Sequence, residues 1–504
     1  MPRLGIVDLG SNTARLVVYS YQPGEWFRLV DQIREPVRLG EGLGRDGNIT
    51  SSAMRRAELA LTLFSEYASS TGLSDLEVLG TSALRDAANR DELLETLRAL
   101  GLDIKVLSGE QEARLGVVAV ANGFDMTKAC VIDLGGGSAQ ISFMRDRDFE
   151  AGRAYPLGGV RLTERYLHSD PPKDKEVEAL ENAVAMELDE VGEVLAAGSH
   201  PLVAMGGTIR NLARVVQRRS RYPLMDRIHG YFLEREVLEA LTTRLLGIKT
   251  KKRARISGIK TDRADVIVAG ALVYRWLLRR TGREGLWISG HGLREGAFFE
   301  RSVPAPHLIS DLRSFSVQNL LRQYARSGGH VHQVRHLAGQ LFAELQPLHG
   351  FGAREADLLD AGAQLQDIGL AVNYYRHDRH GGYLVASAPL NGFSHREQAL
   401  VALLVRYHLK GRPRLGAYRR LCRTDDERLL VTLLACLRIA EHLDRSRSRK
   451  VEGLRVKTTA KKVTVEVLSR VELKTELWEL DRHRDIFRSA FGRKLQFEPV
   501  LVTS

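Results

Sequence analysis

One short signature is written twice in this chain. Asp8-Leu-Gly-Ser-Asn-Thr13 and Asp133-Leu-Gly-Gly-Gly-Ser138 each follow an apolar run, Leu4-Gly-Ile-Val7 in the first case and Cys130-Val-Ile132 in the second. Each is followed by alternating apolar residues, Leu16 and Val18 after the first, Ile141 and Phe143 after the second. The pattern predicts strand, tight turn, strand, in two copies about a quarter of the chain apart. Turns free of bulky side chains let backbone N–H groups approach phosphate oxygens, and the leading Asp can hold a cation or a water. Two hairpins that need glycine for their bends is the plain alternative. Duplication favours a doubled fold that closes two phosphate-binding loops on one ligand.

At 504 residues the chain exceeds what one core organises, so several domains are expected. A formal charge of +12, mostly from arginine, suits polyanionic partners. Cys130, Cys422 and Cys436 show no paired or CxxC spacing, which excludes a disulfide scaffold and fits a reducing cytoplasm. A strand begins by residue 4, leaving no room for a signal peptide, and no apolar run is long enough to span a bilayer. The expected setting is cytoplasmic, with no membrane and no specific nucleic acid as partner.

Strands are predicted over 4–9, 14–20, 27–31, 77–80 and 103–107, with helices over 51–71, 91–100 and onward from 109 to about 122. The second copy supplies strands at 130–134, 139–144, 151–155, 202–205 and 285–289 and a charged helix over 174–197. Strand–helix alternation of this kind is α/β. Val303-Pro-Ala-Pro306 reads as a linker. Helical periodicity follows, for example over 331–345 and 396–406, and then a hairpin over 453–468 and a helix near 478–491. The expected division is 1–125, 126–305, 306–447 (all-α) and 448–504 (small α+β).

In the first turn Gly10, Ser11, Asn12 and Thr13 offer backbone and hydroxyl donors to phosphoryl oxygens; in the second, Gly135, Gly136, Gly137 and Ser138 do so. Asp8 and Asp133 stand at strand ends, where a carboxylate holds Mg²⁺ directly or through water. Gly206, Gly207 and Thr208 form a third small-residue turn after a buried strand, either a phosphate wall or a simple strand–helix turn. Glu112, where a strand hands over to a helix, either directs an attacking water or caps the helix, as Glu110 could equally. Arg85 could clamp phosphate bidentately or lie on the surface. Two basic runs, Arg210–Arg221 and Lys249–Lys260, are either solvated faces or tracks for a polyanion.

Several of these segments recur together: Val7-Asp-Leu-Gly-Ser-Asn12, Gly80-Thr-Ser-Ala-Leu-Arg85, Ser108-Gly-Glu-Gln-Glu-Ala-Arg114, Ile132-Asp-Leu-Gly-Gly-Gly-Ser138, Gly206-Gly-Thr208 and Gly292-Leu-Arg-Glu-Gly296. In this order and spacing, over about 1–300, the chain resembles the exopolyphosphatase/guanosine pentaphosphate phosphatase family of the actin/sugar-kinase/Hsp70 superfold. The resemblance implies duplicated actin-like (RNase H-like) domains and hydrolysis of the terminal phosphoanhydride of linear inorganic polyphosphate. Guanosine pentaphosphate is the alternative substrate. It further implies Glu112 as the catalytic carboxylate, Asp133 as a ligand of Mg²⁺ (Mn²⁺ being the other candidate ion), the two Gly loops as phosphate cradle, and a homodimer. Gln140 stands where the family usually has a Glu, so weaker metal binding or altered turnover is expected. A kinase or chaperone-like ATPase of the same superfold and a catalytically weak polyphosphate or alarmone binder are the other readings. The helical region resembles an HD phosphohydrolase domain, with His330, Asp367 and Asp444 at matching places but Gln366 where that site needs His. A module without a catalytic two-metal centre is therefore expected. His377, His380 and His408 stay undecided between leftover site and surface.

Overall fold

A computed structural model describes all residues except 74, 226, 325–327, 479, 481–483 and 503–504, and the side chains of 45 and 197. The chain divides into two compact units, Met1–Leu312 and Arg313–Ser504.

The first unit holds two sheets of matching topology. One contains β1 (Arg3–Leu9), β2 (Thr13–Gln22), β3 (Trp26–Pro36), β4 (Leu76–Gly80) and β5 (Ile104–Val106) in the order β3-β2-β1-β4-β5. The other contains β6 (Lys128–Leu134), β7 (Ala139–Arg145), β8 (Asp148–Tyr155), β9 (Leu202–Met205), β10 (Tyr231–Glu234) and β11 (Gly285–Ile288), ordered β10-β11-β9-β6-β7-β8. In each, an antiparallel three-strand meander is extended by parallel strands beside the first strand of the copy. β1 and β6 even share one burial pattern, exposed only at the first residue and half-buried at the Asp. A central strand covered on both faces needs this near-continuous apolar run. The duplication legible in the two turns is therefore a duplication of the fold, with β10 added at the edge of the second copy.

Helices cover the sheets where apolar residues recur at helical spacing. Ser51–Thr71 buries Ala53, Ala57, Ala60, Leu61, Phe64 and Ala68. Thr50 caps its start by accepting from the Ala53 N–H, and Gly72, at φ 65°, ends it. The segment read as a linker is fastened to this unit: Asn122 donates to the His307 carbonyl (2.8 Å) and accepts from the Ile309 N–H (2.8 Å).

The second unit is helical from Leu312–Tyr324 to Asp426–Leu443. It ends in a sheet of β12 (Val451–Thr458), β13 (Lys462–Ser469) and β14 (Lys494–Leu501). Where a helix is expected near 478–491, the described residues include helices Lys474–Trp478 and Arg484–Phe491, with 479 and 481–483 outside the described residues. Among the described residues no helix is long and apolar enough to cross a membrane.

Helix Leu293–Ser302 lies against helix Gly109–Ala121 so closely that a Cβ on Gly296 would stand 2.1 Å from the Leu115 carbonyl oxygen. Backbone cannot swing aside as a side chain can. Gly296→Ala should therefore destabilise the protein by about 2 kcal/mol, despite alanine's better helix propensity. A fall in melting temperature of about 3 °C is expected for a unit of this size; an unchanged or raised value would show that the helices can part freely.

Candidate active site

The two signature turns are built alike. The Gly10 N–H donates to the Thr13 carbonyl (3.2 Å), and the Gly135 N–H to the Ser138 carbonyl (2.9 Å). In each turn two carbonyls are held from one side by backbone amides of a later segment. Ser11 O accepts from Gly40 N (2.8 Å) and Asn12 O from Arg38 N (3.1 Å). Gly135 O accepts from Gly159 N (3.0 Å) and Gly136 O from Val160 N (2.8 Å). In a trans peptide the N–H points opposite to the preceding C=O. The Asn12, Gly136 and Gly137 amides are thus turned away from their anchors, and among the described residues they form no hydrogen bond.

The turns face each other. A Cβ on Gly137 would stand 2.4 Å from Ser82 Oγ and 2.7 Å from Ser11 Oγ, hydroxyls that are themselves 2.9 Å apart. A Cβ on Gly158 would meet the Gly136–Gly137 backbone at 2.2–2.4 Å, so the segment behind the second turn also tolerates no side chain. Thr13 opens β2, and Ser138 Oγ accepts from Gln140 Nε2 (2.8 Å).

Asp8 and Asp133 occupy equivalent places, paired across their hairpins with Arg15 and Gln140 respectively. Asp8 Oδ2 accepts from Arg294 Nη1 at 3.0 Å. Burial pushes Asp133 up to about 6, against the pull of Arg210, with Asp8 adding to the rise. Met205 pairs with Asp133, which sets Gly206 and Gly207 directly beside it. Gly206 (φ 100°) abuts the Leu134 carbonyl, Gly207 lies against the Arg263 guanidinium, and Thr208 is buried in the helix that follows. A desolvated carboxylate with its charge imperfectly offset fits a hard cation, and Mg²⁺ needs only one or two carboxylates beside water and phosphate. Asp8 and Asp133 satisfy that donor requirement.

Glu112 is released from capping duty. The start of its helix is closed by Ser108 and Gln111, each accepting from the other's backbone N–H (3.1 and 2.9 Å). Glu112 Oε2 instead accepts from Arg85 Nη1 (2.6 Å) and Gln140 Nε2 (3.0 Å). It is thereby fixed between the first half of the unit and the second turn. Burial drives its pKa up to about 7, opposed by Arg85 and assisted by Asp133 and Asp8. Arg85 Nη1 also donates to the Leu107 carbonyl (3.0 Å), so the guanidinium is held from two sides where it meets Glu112. Gln140 acts as a donor to Glu112, a role that the loss of a negative charge at this place did not suggest.

Sequence reasoning missed Arg15, opposite Asp8 on the neighbouring strand. Arg15 is pushed down to about 9, by burial first and then by Arg294, Arg210 and Arg34, each a stronger influence than Asp8. At Arg15, therefore, neighbouring positive charge outweighs the attraction of Asp8. The basic runs are mixed in purpose. Arg210 is fastened to the carbonyls of Ser289 and His291, and Arg253 to those of Ile248 and Ala264. Arg219, Lys251, Lys252 and Arg255 remain exposed.

The family model described as the Ppx/GppA phosphatase family matches residues 17–303, and that described as Ppx/GppA phosphatase, domain III, matches 312–484. Exopolyphosphatase 1 of Mycobacterium tuberculosis (strain H37Rv) is 33% identical over 327 residues, 64% of this chain and 94% of the relative. Exopolyphosphatase 1 of Mycobacterium leprae is 33% identical over 306 residues, 59% of this chain and 89% of the relative. The crystal structure of the Aquifex aeolicus Ppx/GppA family member covers 60% of this chain and 97% of its own, with TM-score 0.52 and 27% identity. An exopolyphosphatase from Cytophaga hutchinsonii (TM-score 0.55, 23% identity, 59% and 97% coverage) shares the fold.

Replacing Gln140 by Glu removes a donor from Glu112 and sets a second carboxylate beside it, and both changes disfavour the charged form. Gln140→Glu should raise the Glu112 titration midpoint by about one unit or more, followed by the carboxyl ¹³C shift. A midpoint left in place would show that the amide does not govern this carboxylate.

Proposed function

This chain belongs to the Ppx/GppA phosphatase family, and from that premise we propose that it is an exopolyphosphatase, releasing orthophosphate from the end of linear inorganic polyphosphate. One observation carries the reading: two phosphate-type turns face each other, and a buried carboxylate, Glu112, is held by Arg85 and by Gln140, which also donates to Ser138 of the second turn. The exopolyphosphatase names of relatives 33% identical over most of their length support the substrate class.

In this mechanism the terminal phosphoryl group lies between the turns, its oxygens accepting from the Asn12, Gly136 and Gly137 amides and the Ser11 and Ser138 hydroxyls. Mg²⁺, with Mn²⁺ as the alternative, would be held by Asp133 and Asp8 and would neutralise phosphoryl charge. Glu112, poised near neutrality, orients a water in line with the bridging oxygen and takes its proton at Oε1, the oxygen left open while Oε2 accepts from Arg85 and Gln140. Arg85 and Gln140 keep that oxygen aimed. Arg15 and Arg294 favour the negative charge that develops on the leaving chain. The protein in this reading is a cytoplasmic homodimer. Its three free cysteines support the compartment, and the family resemblance supports the dimer.

Phosphate release from long-chain polyphosphate, compared with guanosine pentaphosphate, tests the substrate; preference for the nucleotide would replace the reading by a pentaphosphate phosphohydrolase. Glu112→Gln should cost about 10²–10⁴-fold in kcat with the circular dichroism spectrum unchanged. Because Glu112 must be ionised to accept a proton, kcat/KM should rise with pH and level off above an apparent pKa near 7. Arg85→Gln removes the charge that opposes burial and should move this limb to higher pH.

A further inference from the structure

The second unit brings together a different set of groups. His330, expected to belong with Asp367 and Asp444, hydrogen-bonds through Nδ1 to Asp444 (2.8 Å) and through Nε2 to Glu441 (2.9 Å). Burial alone would lower its pKa, but the two carboxylates outweigh it and hold it up at about 9. His330 is therefore an imidazolium with both nitrogens protonated and offers no lone pair. Gln366 donates to the same Glu441 oxygen (3.1 Å).

Asp367 turns elsewhere. It lies between helix Ala353–Leu365 and the turn Ile368–Ala371, facing His377 at the start of helix His377–Ser387 and His408 just after helix His395–Tyr407. The candidate donor atoms of Asp367, His377 and His408 all lie within 4.8 Å of one another, the only such group of three among the described residues. The two Nε2 atoms stand 3.6 and 4.0 Å from Asp367 Oδ1, beyond hydrogen-bond reach. Both are buried without a hydrogen-bond partner, and the His408 side chain is wholly buried.

The opposite ring nitrogens explain the arrangement. His377 Nδ1 donates to the Tyr374 carbonyl (2.8 Å) and His408 Nδ1 to the Val405 carbonyl (2.7 Å). In the neutral rings those bonds fix the proton on Nδ1 and leave the Nε2 lone pairs directed at one place. Imidazoles that donate from one nitrogen to a carbonyl while the other points at a shared carboxylate are how proteins prepare metal ligands. Donors each about 2.1 Å from one ion stand roughly 3.0–3.5 Å apart, so the two nitrogens, at 3.6 and 4.0 Å from Oδ1, must draw in on binding.

We propose that Asp367, His377 and His408 form a binding site for a first-row divalent transition cation, separate from the Asp8 and Asp133 carboxylates of the first unit. Two imidazoles with one carboxylate select Zn²⁺, Fe²⁺ or Mn²⁺ over Mg²⁺ and leave coordination positions open. Asp367 Oδ2 accepts from Arg447 (2.7 Å), a side chain 56% exposed. The ion binds Oδ1, and Arg447 competes with it for the carboxylate's charge.

The test is equilibrium dialysis of the metal-stripped full chain against micromolar Zn²⁺ or Mn²⁺ in excess Mg²⁺, with bound metal measured by mass spectrometry. Wild type should retain one equivalent of transition metal. His377→Gln and His408→Gln should bind it about tenfold or more weakly, whereas Arg447→Ala should bind as tightly or tighter. The paired variant Asp8→Asn/Asp133→Asn should retain the equivalent. Wild type holding less than a fifth of an equivalent would overturn the proposal whatever the variants do. Equal retention by wild type and His377→Gln would do so too, as would loss of the ion in the Asp8/Asp133 variant alone.

Discussion

Four backbone carbonyls held from behind govern the first unit. Ser11 and Asn12 are anchored by the amides of Gly40 and Arg38, Gly135 and Gly136 by those of Gly159 and Val160. Peptide planarity does the rest: an anchored carbonyl aims the next N–H the other way, without any side chain. This is why the turns are glycine-rich and why the backbone behind the second one admits nothing larger at Gly158. It is also why the two copies of the fold need not share side chains to share a function. Asn12 in the first turn and Gly136-Gly137 in the second present the same kind of backbone donor through different residues.

The electrostatics follow from closing that doubled architecture. Burying Asp133 and Glu112 in the neighbourhood of Asp8 raises the cost of ionising both, and the unit answers with arginines brought in from distant sequence. Arg294 reaches Asp8, Arg210 influences Asp133, and Arg85 holds Glu112. The balance leaves Glu112 near neutrality and Arg15 with more repulsion than attraction. A highly charged anion relieves both conditions at once: it draws on the surplus cationic charge and brings its own counterions. Gln140, seemingly a deficit at a position expected to be acidic, becomes part of this balance by donating to Glu112.

Much of this was written in local signals. Helices Ser51–Thr71 and Asp174–Ala197 and strand β9 were legible to the residue, because periodicity, caps and glycine stops agree there. β10 is an edge strand with one buried residue where the equally short β9 is buried throughout, and β14 carries Pro499 on a sheet edge, where proline is tolerated but hides a strand. The choice between capping and chemistry at Glu112 was readable from the Ser108–Gln111 spacing, which already supplies a cap. Arg15 was hidden because an arginine in an alternating strand reads as solvent-facing; aligning the two copies sets it opposite Asp8 as Gln140 is opposite Asp133. Arg210 and Arg253 show the limit of charge runs, since spacing cannot tell a solvated guanidinium from one bonded to buried carbonyls. His377 and His408 became informative only once their Nδ1 partners were known.

The most direct measurement is a crystal structure of the protein with a non-hydrolysable linear polyphosphate analogue. The account predicts terminal phosphoryl oxygens within hydrogen-bond distance of the Asn12, Gly136 and Gly137 amides, with Glu112 facing the terminal phosphorus from the side opposite the bridging atom. An analogue bound along the exposed lysines and arginines of residues 249–260, with those amides still unengaged, would contradict it.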